Sequence, residues 1–254
     1  SVCRGHGWAN LQSVHLNLPF CGDQEFGRLH AAIRFALPIL PGLWASSPLV
    51  EGRRGPALDS RLEFYRRNAR RVPSVSGSVV PEPVFTRDAY ERELLGRIYA
   101  DVAPFDPDAV LRHEWLNARG CIARFDRSAI EIRVLDITEC PRSDLAIAEA
   151  IVALVRALVD ERFASLEEQQ GWPTGPLARL FVAMSRDAER TTIDDVAYLQ
   201  ALGWKGRTPP AAKDLWAHML DTLETTGLGA EARGVIESIL AHGCLARRIM
   251  ERVG

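Results

Sequence analysis

The stretch Ser128-Ala-Ile-Glu-Ile-Arg-Val-Leu-Asp136 alternates strictly, and this constrains the fold more than any other part of the chain. Ile130, Ile132 and Val134 point one way; Glu131, Arg133 and Leu135 point the other. A period of two marks a strand with one apolar face. The opposite face carries an acid and a base two residues apart, so their side chains project side by side. A carboxylate and a guanidinium so placed suit a metal–phosphate site, the first holding a cation and the second clamping phosphoryl oxygens.

Gln12-Ser-Val-His-Leu-Asn-Leu-Pro19 has the same grammar, with Val14, Leu16 and Leu18 on one face and Ser13, His15 and Asn17 on the other. Either strand alone reads equally well as half-exposed, with polar residues facing water. Together, with His, Asn, Glu and Arg as the polar set, they predict an antiparallel sheet whose loaded face is a site.

Between the two strands the chain reads as helical. A helix from 23 to about 43 carries Phe26, Leu29, Ile33 and Leu37 at helical spacing, with Pro38 and Pro41 kinking or shortening it. Residues 46–60 read as a loop, and 59–71 as a helix rich in arginine: Arg61, Arg66, Arg67, Arg70 and Arg71. The cluster suits phosphate or carboxylate recognition, but the reading preferred for it is a solvated face with Glu63 as partner. Residues 74–85 read as an extended loop. Thr86 or Asp88 caps a helix to about 102, and a short helix is expected near Val110. Residues 121–125 form a strand that turns through Asp126-Arg-Ser into the Glu131 strand. Arg119 and Arg124 then lie near the loaded face, and only one can share the side of Glu131. Trp115, Asn117 and Arg119 are of types that bind ATP or substrate, and for Trp115 the reading preferred is a packing residue.

Ser143 or Asp144 caps a long helix to about 166, followed by helices at about 175–187, 193–201, 209–226 and 229–252. Pro173, Gly175 and Pro209-Pro210 mark breaks. His218 and His242 read as structural or surface residues.

Four segments, in this order and spacing, resemble the glutamate–cysteine ligase superfamily, in particular its bacterial carboxylate–amine ligase-like branch. They are Gly5-His-Gly-Trp-Ala-Asn-Leu-Gln-Ser-Val-His-Leu-Asn-Leu-Pro-Phe20; Ala45-Ser-Ser-Pro48 with Glu51-Gly-Arg53; Leu58-Asp-Ser-Arg-Leu62; and Ile130-Glu-Ile-Arg-Val-Leu-Asp136 with Pro141 and its helix. The likeness covers about residues 5 to 160. It implies an α+β fold: an antiparallel sheet of glutamine-synthetase type with flanking helices. Residues 1–165 would be the later part of a catalytic domain, and 166–254 a helical segment packed on it.

The resemblance also implies a reaction. ATP phosphorylates a carboxylate, and an amine displaces phosphate to give an amide; glutamate plus cysteine, in glutathione biosynthesis, is the best-known pairing. Glu131 is implied as a magnesium ligand and catalytic group, His15 as a second residue at the metal, and Arg133 as the contact to the transferring phosphate. Manganese is an alternative ion because imidazole is the softer ligand. Arg61 falls on the Ser-Arg segment and is implied as a substrate or nucleotide contact. Asn17, Arg119 and Arg124 are further candidates on residue grounds.

One feature departs from the family. Its members begin with a strand of paired glutamates that supply further metal ligands, and none precedes His15. The chain is therefore expected to be the later part of a longer polypeptide, completed by a missing N-terminal segment or by a second copy. Rival readings are a non-catalytic relative that binds a small acid, and another phosphoryl-transfer enzyme such as a guanidino kinase.

Composition is compatible with a globular enzyme. The formal net charge of −2 leaves no general nucleic-acid footprint, and apolar runs are too interrupted for a membrane span. Five cysteines, at 3, 21, 121, 140 and 244, show no metal-finger spacing, and read as reduced and mostly buried thiols in the cytoplasm.

Overall fold

A computed structural model describes residues 12–253. Cys3 and the 5–11 part of the histidine segment lie outside the described residues. The fold is α+β. Strand β1 (Val14–Pro19) leads through an exposed Cys21 into helix α1 (Gly22–Ala36). The prolines break the expected long helix: Leu37–Ile39 tightens to a 3₁₀ turn and α2 (Pro41–Trp44) follows. Within the expected loop, β2 (Leu49–Val50) and β3 (Arg53–Arg54) form a hairpin. Its turn residues, Glu51 and Gly52, both have positive φ, as a two-residue hairpin turn demands.

Helix α3 (Ser60–Asn68) starts at Asp59, whose carboxylate accepts the Leu62 N–H. The helix capped by Thr86 consists of α4 (Arg87–Ala89), a π-helical stretch over Tyr90–Leu95, and α5 (Gly96–Val102). No helix forms at Val110. Instead the Asp106 carboxylate accepts the N–H groups of Val110 and Leu111, closing a local turn that competes with helix.

Strands β4 (Cys121–Arg124) and β5 (Ala129–Leu135) form a hairpin whose turn ends at Ser128 in the left-handed conformation. The main sheet has the order β1-β5-β4, antiparallel throughout. Its alternation breaks once. Asn17 stands opposite Glu131 and Leu16 opposite Ile132, but Val14 stands opposite Leu135, so two residues of β5 face His15 alone. This bulge moves Leu135 from the side expected of it to the Val14 side, where it is buried.

The apolar side of the sheet packs on α1 and α2. The C-terminal half of α1 is buried all round, because α6 (Pro141–Val159) and α7 (Leu166–Gly171) also cover it. Neither Ser143 nor Asp144 caps α6. Cys140 occupies that position, while Asp144 accepts from Thr138 and from the Trp44 indole. The helix ends near Asp160, earlier than expected. Glu161 turns left-handed, Arg162 N–H reaches Ala157 O at 2.8 Å, and Glu161 N–H reaches Leu158 O at 3.1 Å, the bond pattern of a helix-ending Schellman turn.

Helices α8 (Thr174–Asp187), α9 (Val196–Ala201), α10 (Ala212–Thr225), α11 (Ala230–His242) and α12 (Leu245–Arg252) follow. Gly243, at φ +87°, separates the last two where one helix was expected. One apolar core runs from α1 and the sheet through α6 into α8, α10 and α11, across residue 165. Cys121 and Cys244 are buried, whereas Cys140 is half-buried. Among the described residues, no helix is long and apolar enough to cross a membrane.

Candidate functional site

Glu131 sits at the middle of the central strand, between Asn17 on β1 and Ile122 on β4. Residues directly opposite share a face, so Asn17, Glu131 and Arg124 look the same way. The expected choice between Arg119 and Arg124 thus falls to Arg124. Its Nη1 lies 3.3 Å from Glu131 Oε2. Arg133 donates from Nε to Oε1 at 2.7 Å, and His15 Nδ1 lies 2.9 Å from the same oxygen. His15 Nε2 meets Ser13 Oγ at 2.9 Å.

Glu131 is 5% exposed. Burial alone would favour its neutral form, yet the hydrogen bonds and charges of His15 and Arg133 prevail and hold its pKa at about 2. Glu131 is therefore held as a carboxylate, flanked by the guanidinium groups of Arg133 and Arg124.

Arg133 is fixed along its length. Its N–H donates to Gly120 O at 2.7 Å, and its Nη1 donates to Asn117 O at 3.0 Å and Trp115 O at 3.3 Å. Tyr65 packs beside it, its phenol pushed up by burial against the pull of Arg133 and Arg61. A guanidinium held in one plane is prepared to meet a planar or tetrahedral oxyanion without first losing rotamer freedom.

Arg61 lies beneath the face, not on it. It is buried, pairs through Nε with Asp136, and its Nη1 approaches Arg133 O at 3.4 Å. Asp136 also accepts from Ser46 N at 2.9 Å and Ser47 Oγ at 2.8 Å, while Ser47 Oγ accepts the Arg61 N–H at 3.1 Å. Asp59 closes the network. Burial and the neighbouring Asp136 charge raise its carboxyl well above the usual range. This layer ties three of the quoted sequence segments together, at Ser47, at Asp59 with Arg61, and at Asp136.

Arg119 is placed elsewhere. Its guanidinium grips Glu82 with two bonds of 2.7 Å and donates to Ser74 O and Asn117 Oδ1, under the loop at 74–82. Asn17 and His15 remain exposed at the β1 side. Asp136, Ser47 and Tyr65 carry no site signal of their own in the sequence, and Trp115 and Asn117, candidate ATP or substrate contacts there, meet Arg133 through their backbone carbonyls. Asp136 and Ser47 stood inside quoted segments and could have been found there. The carbonyl contacts leave no side-chain signature.

Among the described residues, no three His, Cys, Asp or Glu side chains converge as a metal cage. Glu131 Oε1 is taken by two donors, and Oε2 accepts from Arg124. A carboxylate has about four acceptor directions, so one remains. With Nδ1 of His15 facing Glu131 and Nε2 meeting Ser13 Oγ, both imidazole nitrogens are engaged, and the two side chains orient one another. The open acceptor direction of Glu131 suits a cation that arrives with phosphate oxygens, as magnesium does in phosphoryl-transfer sites, and does not suit a stand-alone protein cage; His15, turned toward the carboxylate through Nδ1, is not aimed at the same ion.

A model described as glutamate-cysteine ligase family 2 matches residues 4–253. An uncharacterized protein of Archaeoglobus fulgidus is 40% identical over 156 residues, which cover 61% of this chain and 42% of that protein. The chain thus spans less than half the length of this curated relative. With the family match extending over nearly all of its residues, the chain belongs to glutamate-cysteine ligase family 2.

Proposed function

We propose that this chain carries the Glu131–Arg133 part of an ATP-dependent carboxylate–amine ligase. The observation that carries the reading is Arg133, held in one plane on the same strand face as an ionised Glu131 with His15 beside it. In the proposed reaction a carboxylate oxygen of an amino acid, glutamate in the simplest case, attacks the γ-phosphorus of ATP and ADP leaves. An amine nitrogen then attacks the acyl carbon, phosphate departs with that oxygen, and the amine proton is released.

The residues divide this work. Arg133 orients the phosphoryl group and stabilises charge that grows on its oxygens. Arg124, braced by Asp126 at 3.0 Å, keeps a second positive charge by Glu131. Asn17 and His15 line the exposed side, where substrate enters. The Asp136–Arg61 layer holds the strand end from which Arg133 projects. Glu131 would hold a magnesium ion, or manganese, which when bound neutralises phosphate charge, and His15 would orient the Glu131 carboxylate. Further acidic ligands come from the remainder of a longer polypeptide or from a second copy.

The test is an assay of the complete polypeptide with ATP, magnesium, glutamate and a panel of amines that includes cysteine and a guanidine. The reading expects an amide and ADP in equal amounts, and loss of about 10²-fold or more of the rate in Glu131→Gln. A phosphorylated guanidine in place of an amide, or an unchanged rate and metal dependence in Glu131→Gln, would refute it.

A further inference from the structure

The Arg133 clamp is built from a turn that also presents an aromatic pair. The 3₁₀ turn Glu114–Leu116 is anchored on both sides. The Glu114 carboxylate accepts the N–H groups of Phe125 at 3.1 Å and Asp126 at 3.4 Å, fixing the turn to the β4–β5 hairpin. The carbonyls of Trp115 and Asn117 accept from Arg133. Trp115 itself does not pack in the core as expected. It is 44% exposed, and its ring lies 6.0 Å from that of His113 with only 19° between their planes. The two near-parallel rings, offset from one another, form an aromatic surface that the core does not use.

We propose that the Trp115–His113 pair is a stacking platform for the purine base of a nucleotide whose phosphates lie toward Arg133. The inference rests on the nucleotide-dependent reading given above and adds the residue that recognises the base. A nucleotide carries a flat π-face and a polyanion in one molecule, and this turn carries an exposed indole on the residue whose backbone carbonyl accepts from the Arg133 guanidinium at 3.3 Å. Stacking on an aromatic side chain tolerates any base, and its loss costs a nucleotide about tenfold in affinity. A platform fixed by backbone bonds pays little ordering entropy when the base arrives.

Calorimetric titration of the complete polypeptide in magnesium, with ATP and separately with inorganic tripolyphosphate, tests the platform. Trp115→Ala should weaken ATP binding about tenfold and leave tripolyphosphate binding within about twofold, while Trp115→Phe should retain most of the ATP affinity. Unchanged ATP affinity in Trp115→Ala overturns the platform and leaves the phosphate site standing. Equal weakening of both ligands also overturns it, because Trp115 would then act only through its hold on Arg133. Binding of neither ligand by the parent protein overturns the nucleotide reading and the platform with it.

Discussion

Arg133 shows why residue type alone understates a site. Its Nε bond to Glu131 makes it look like half of an ordinary ion pair. Its Nη1 bonds to two carbonyls do more, because they fix the plane of the guanidinium. Lysine keeps the charge and loses that plane. Arg133→Lys is therefore expected to lower turnover about 10²-fold while changing the KM for ATP less than about tenfold, since the clamp acts mainly as charge redistributes during transfer. Steady-state kinetics paired with thermal unfolding reads this directly. Intact turnover with a collapsed melting temperature would make Arg133 a structural partner of Glu131 instead. At this scale strand alternation alone put Glu131 with Arg133, and His15 with Asn17, on the polar faces of their strands, and the register sets Asn17 opposite Glu131. The sequence did not separate Arg61 or Arg119 from them. Both are arginines near the right segments, and only burial against Asp136 and Glu82 distinguishes a brace from a contact.

Helix α1 is the element that carries the sheet, and it hides a histidine that the site does not use. His30 is fully buried, stacks on Phe26 at 5.4 Å, and meets Phe85 and Tyr90 edge-on. Burial, aided by the Arg34 charge, lowers its pKa from 6.5 to about 3. Between these values the imidazole binds a proton in the unfolded chain and not in the native one. Its contribution to stability is therefore fully present above pH 6.5 and declines as pH falls toward 3. The slope approaches about 1.4 kcal/mol per pH unit in that window. Urea unfolding of the parent and of His30→Phe across pH 4–7 should show a weaker acid dependence in the variant by that amount; parallel curves would mean that His30 is protonated in the fold. Elements were legible where periodicity was long, as in α1, α6 and β5. The bulge at His15, the Schellman end of α6 and the break at Gly243 were not. Each is set by a backbone conformation or a register that apolar spacing does not encode.

At the scale of the molecule, the main sheet has three strands among the described residues and is backed by helices, and its two edges differ. The β4 side is covered: the Tyr90 hydroxyl accepts the Ala123 N–H at 3.0 Å, and Gly120 N–H reaches Val79 O. Among the described residues nothing pairs with the outer edge of β1, the strand that carries His15 and Asn17. The central claim is that Glu131 and Arg133 serve transfer of a phosphoryl group to a carboxylate. Glutamate labelled with ¹⁸O in its side-chain carboxylate, supplied to the complete polypeptide with ATP, magnesium and cysteine, tests it most directly. One labelled oxygen should appear in each inorganic phosphate released with the amide, and both products should fall together in Arg133→Lys. Amide formed with unlabelled phosphate, or with the label in AMP, would contradict the account.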